Sequence, residues 1–71
     1  MEIPIDRQLF LLNAKLVTWQ NTYYDASLDV KIAQDIGNEQ LLEQGLARMK
    51  QALQAIAWVQ DKITALEGGE Q

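Results

Sequence analysis

The chain reads as all-α: an antiparallel two-helix hairpin, with helices over about residues 5–36 and 39–67, expected to dimerise into a four-helix bundle. Three observations predict this. The single proline, at position 4, and the glycines, at 37, 45, 68 and 69, leave two long stretches interrupted only by Gly45. Within both stretches apolar residues recur at alternating spacings of four and three, the signature of helices packed side by side. Finally, 48% of the 71 residues are hydrophobic, more than the single seam of a hairpin can cover. Residues 1–71 are expected to form one domain.

The first helix is expected to hold Pro4 in its opening turn, where a missing N–H has no intrahelical partner and the fixed φ already suits the helix. Asp6 places a negative charge near that positive helix end. Ile5, Leu9, Leu12, Leu16, Trp19, Tyr23, Ala26, Val30 and Ala33 then form an unbroken seven-residue repeat, which specifies shallow left-handed crossing of helices. Gly37 supplies the left-handed conformation that ends a helix, and Asn38 offers a side-chain oxygen to cap the next, with Glu39 in its first turn. One continuous helix would require Gly37-Asn38 to be helical, which their intrinsic propensities disfavour. Such a short turn folds the helices back on each other as rods of roughly 45–50 Å, at ~1.5 Å per residue.

In the second helix the expected core stripe is Leu42, Leu46, Met49, Leu53, Ile56 and Ile63, with Gln60 as a polar intruder. A neighbouring row, Gly45, Ala52, Val59 and Leu66, widens the stripe. Because 3.6 residues per turn drifts against a seven-residue repeat, Val59 and Leu66 are candidates to become the inward positions near the end. Gly45 has two readings at this point: a site where another backbone approaches closely, or a tolerated glycine costing ~1 kcal/mol of helix propensity. Gly68-Gly69 close the helical stretch.

The first helix also carries a second apolar row. Phe10, Val17 and Tyr24 lie seven residues apart, Leu28 follows at four, and the row sits more than about 100° from the core stripe on a helical wheel. The polar row Asn13, Gln20, Ser27 and Gln34 separates the two. A solvent-facing side is normally charged, so this second row predicts a second packing surface. On the second helix Trp58 also points away from the stripe, and tryptophan is a frequent interface anchor. Phe10, Val17, Tyr24, Leu28 and Trp58 are therefore the candidate protein-interaction residues.

Much chemistry is excluded by composition. With no histidine and no cysteine, the chain lacks histidine bases, thiol nucleophiles, disulfides and the usual zinc ligands. No catalytic, cofactor-binding or metal site is expected. Asp25 and Asp29, like Glu39 and Glu43, are one helical turn apart and could in principle share a cation, and Asp35 precedes Glu39 by four, but bundle metal sites add histidines to inward-facing glutamates. Ser27, Thr18, Thr22, Thr64, Tyr23 and Tyr24 have no histidine to activate them. Ten acids against six bases give a net charge of −4, and the short basic cluster Arg48-Lys50, with Lys62 beyond, is not the stripe that phosphate backbones require. Nucleic acid is thus not an expected partner, nor is a membrane: no apolar run approaches ~20 residues, and the polar faces are rich in Gln, Asn and Asp rather than Lys and Arg. No secretory signal pattern is visible at the start.

These readings converge on a non-enzymatic protein–protein interaction module, a small acidic helical regulator or inhibitor. It is expected to work as a homo-oligomer, a dimer above all, on an unidentified protein target in the cytoplasm. Alternatives are a structural subunit of a larger assembly such as a virus particle, hence virion-associated, and an acidic mimic that blocks a nucleic-acid-binding protein. Phage genomes carry many small helical hairpins, so a phage origin is an expectation by fold-level analogy.

Overall fold

The computed structural model describes residues 3–68 and consists of two α-helices, α1 (Ile5–Ile36) and α2 (Glu39–Gly68), packed along each other as a hairpin. Its extents are 51 × 18 × 18 Å, as two antiparallel rods of this length require. Gly69 lies outside the described residues. None of the helices among the described residues is long and apolar enough to cross a membrane.

The turn follows from two residues. Gly37 adopts φ 74° and ψ 30°, and its N–H donates to the Ala33 carbonyl. The Asn38 N–H donates to that same carbonyl at 2.9 Å, closing the helix end with a left-handed residue. Asn38 then starts α2: its Oδ1 accepts from the Leu41 N–H at 3.0 Å, and its carbonyl accepts from the Leu42 N–H at 3.0 Å. At the other end of α1 the expected position of Pro4 is corrected by one residue. Pro4 has ψ 150° and stands just outside the helix as its N-cap, without a side-chain cap. Its carbonyl accepts from the Gln8 N–H at 3.0 Å, and Gln8 Nε2 reaches the Ile3 carbonyl at 2.6 Å.

The seam of α1 lies where the repeat predicts, except at its start. Leu9, Leu12, Leu16, Trp19, Tyr23 and Val30 are half-buried and Ala26 and Ala33 are buried, but Ile5 is exposed. The seam of α2 is a correction. Leu46 and Leu53, expected in the core, are 50% and 51% exposed, whereas Gly45, Ala52 and Val59 are buried. The inward positions are therefore 42, 45, 49, 52, 56, 59, 63 and 66, again at alternating spacings of three and four, and Gln60 falls outside them. The physical reason is closeness of approach. A helix turned onto its small residues brings its axis nearer to the partner, and more of the flanking Leu42, Met49 and Ile56 then touches the opposite helix.

Gly45 shows how tight this approach is. A Cβ built on it would stand 2.8 Å from Val30 Cγ2, 3.3 Å from the Val30 nitrogen and 3.4 Å from the Ala26 carbonyl oxygen. The glycine is thus required by the packing rather than merely tolerated. Gly45→Ala would gain ~1 kcal/mol of helix propensity, but β-branched Val30 and its backbone have little room to yield, and overpacking typically costs about 1–3 kcal/mol. The expected outcome is a lower urea midpoint for Gly45→Ala, whereas a glycine-to-alanine exchange at an open helical site raises it. An increase at position 45 would show that the helices are not in close contact there.

Candidate interaction surface

Packing two helices on one seam leaves a hairpin with two flanks and two outer backs. One flank is defined by Arg48, whose guanidinium joins α2 to two carboxylates of α1. Its Nη1 donates to Asp29 Oδ2 at 2.8 Å and its Nη2 to Asp25 Oδ2 at 3.0 Å. Asp25 and Asp29 are neighbours on α1 because they are one turn apart, and the fork of arginine suits two acceptors at once. The hydrogen bond it donates to Asp25 chiefly, together with the charges of both carboxylates, pushes the guanidinium pKa above its ordinary value, against a smaller opposing effect of desolvation. These acids are therefore occupied by an arginine. Among the described residues no cluster of three or more acidic, histidine or cysteine side chains is placed to hold a metal ion.

Toward the open end of the same flank, Trp58 projects from α2 with Lys62 Nζ 5.2 Å from its ring centroid. Two adjoining shallow grooves meet at this tryptophan. The larger, about 490 Å³, runs between Gln8, Leu11 and Leu12 on α1 and Trp58, Lys62, Ala65 and Leu66 on α2. The smaller, about 340 Å³, is bounded by Lys15, Trp19 and Ala55. No carboxylate lines either groove, although the chain as a whole is acidic.

The other flank carries the second apolar row. Phe10, Val17 and Tyr24 are exposed, Phe10 and Tyr24 at 64% each, and Leu28 is exposed one turn beyond Tyr24 toward the outer back of α1. Across the seam on α2, Leu46 and Leu53 face the same side, because both follow the inward row 42, 49 and 56 by four residues on the edge away from Arg48. Between them runs the polar row of α1, where Asn13 Nδ2 donates to the Leu9 carbonyl at 2.8 Å and Ser27 Oγ to the Tyr24 carbonyl at 2.6 Å. Arg7 lies 5.8 Å from the centroid of the Phe10 ring at the end of this flank.

The fold thus assembles Phe10, Val17, Tyr24 and Leu28 on one side and puts Trp58 on the opposite flank. The five do not form one patch. Sequence reasoning missed Leu46 and Leu53 as surface residues and Leu11 as a groove residue. The signal for the first two was present in the small-residue row Gly45-Ala52, which marks the true seam; Leu11 carried none beyond being an apolar neighbour of Leu12.

In comparisons with known proteins the chain matches no family model, no curated protein and no solved structure. Its function must be read from these surfaces.

The arginine fork generates a prediction. Arg48→Met should lower thermal stability modestly, because it leaves Asp25 and Asp29 as unneutralised like charges one turn apart on α1. Adding Asp25→Asn and Asp29→Asn should restore much of the loss, and 1 M NaCl, with a Debye length of about 3 Å, should narrow the gap between Arg48→Met and the parent. A thermal-unfolding series in low and high salt checks both statements.

Proposed function

We propose that this chain is a non-enzymatic interaction subunit, a small acidic helical regulator or inhibitor that self-associates and acts by contact with a protein target. The observation that carries this reading is the mismatch between its apolar content and its core. The fully formed hairpin buries only Ala26, Ala33, Ala52 and Val59 among the apolar side chains of the described residues, and none of the large ones is completely covered. Twelve large hydrophobic residues remain exposed among those described. The accessible surface is 5504 Å² for an 8.1 kDa chain, whereas a compact monomeric protein of that mass exposes about 4,500 Å². The excess is comparable with the about 800 Å² that each partner contributes to a standard interface.

Other features support contact rather than chemistry. Asp25 and Asp29, two carboxylates one turn apart on α1, are taken up by Arg48 of α2, which also weighs against an acidic surface that mimics nucleic acid. The two flanks offer different surfaces, so one can serve self-association while the other remains available to a target. Trp58, 59% exposed above a groove, is the anchor expected on the target side.

Sedimentation equilibrium at micromolar concentration tests the reading. A dimer or larger species is expected, and a well-folded monomer of 8.1 kDa would overturn it. For the target side, affinity capture with the parent chain and with Trp58→Ala should recover a protein that the variant loses, with helicity by circular dichroism unchanged.

A further inference from the structure

The two flanks differ in one property that decides which of them a second copy can occupy. On the flank that carries Arg48, the rows beside the seam hold Lys15, Asp25, Asp29, Arg48 and Lys62. On the opposite flank, α1 presents no charge from Phe10 through Ser27 and α2 only Lys50 from Leu46 through Thr64. Carboxylates on that flank are confined to its ends, Asp6 and Glu67 at one and Glu39 and Glu43, with Lys31, at the other. A chain of net charge −4 repels its own copy, so self-contact is favoured where carboxylates are absent.

The positional pattern agrees. In a hairpin that stands alone, positions adjoining the seam on either side are usually charged, as they are in two-stranded coiled coils. A helix that also packs on a further layer is apolar at one of these adjoining positions as well. Leu46 and Leu53 occupy that adjoining position on the flank away from Arg48, whereas in its counterpart on the other flank Leu41 and Ala55 alternate with the charges of Arg48 and Lys62. Of the polar residues within that flank, Asn13 and Ser27 already donate to carbonyls of their own helix, so covering these two leaves those donors paired. Thr18 and Thr22 do the same on the charged flank, which means that such bonding permits burial and the charge distribution selects the face.

We infer that the flank bearing Val17, Tyr24, Leu46 and Leu53 is the contact surface for a second copy of this chain, packed face to face as a four-helix bundle, with the Trp58 groove left facing outward. The inference rests on the self-association proposed above and adds the face through which it occurs. An isologous contact fits it, because a face whose middle is apolar apart from polar side chains and Lys50 needs no oppositely charged face elsewhere.

The chain contains no cysteine, so single thiols report on each flank without interference. Val17→Cys and Leu11→Cys are alkylated under reducing conditions at high and low protein concentration, with the mass measured in parallel. In the isolated hairpin Val17 is the more exposed of the two, at 55% against 42%, so its thiol would react at least as fast. The dimer predicts the reverse order: at concentrations where a dimer is measured, Val17→Cys should react at least tenfold more slowly than Leu11→Cys, and the protection should vanish on dilution. Protection of Leu11→Cys with Val17→Cys reactive, in a chain that still self-associates, would overturn the assignment of the face while leaving self-association standing. A monomer with neither thiol protected would overturn both.

Discussion

The contact of Gly45 with Val30 and Ala26 is the constraint on which the rest of this molecule depends. A side chain larger than hydrogen at that point would separate the helices, so α2 presents its row of small residues to α1 and not its row of leucines. Ala33 continues the close approach toward the turn and Ala26 and Ala52 continue it away from the turn, and all three are buried. Small residues bring backbones together efficiently but cover little area. The seam is therefore well defined in register and poor in buried hydrophobic surface.

Most of the surface properties follow from that choice. Rotating α2 onto Gly45, Ala52 and Val59 moves Leu46 and Leu53 out to one flank and brings Arg48 to the edge of the other, within reach of Asp25 and Asp29. The arginine fork links the helices across the seam at the same level as the close contact, which fixes their relative position; solvent-exposed ion pairs contribute little stability, and register is the better description of its role. One flank becomes charged and grooved, while the other is free of carboxylates over its middle and carries the exposed apolar row. The proposal of a self-associating subunit with a separate target side grows out of this asymmetry between the flanks.

The sequence made much of this legible, and the point at which it fell short is instructive. Helix boundaries followed from breakers whose chemistry is local: Gly37 needs its positive φ, and Asn38 supplies the cap. The stripe of α1 was readable because its apolar positions keep one phase from Leu9 to Ala33. In α2 two phases compete, since Leu46 and Leu53 are larger and more hydrophobic than Gly45 and Ala52, and hydrophobicity alone favours the leucines. Only the opposing surface, with Val30 and the Ala26 carbonyl in place, decides for the glycine. The exposure of Phe10, Val17, Tyr24, Leu28 and Trp58 could be read from the wheel, but their division between two flanks could not, because it depends on which edge of each helix adjoins the seam.

The central claim is that this hairpin completes its hydrophobic core by associating with other chains. Its most direct test is the dependence of thermal unfolding on protein concentration, because anything that binds the folded state alone stabilises it by mass action. The account predicts that Tm of the isolated chain rises steadily over a hundredfold increase in concentration. A Tm that is high and unchanged across that range would show that the hairpin is stable by itself, and would contradict the claim.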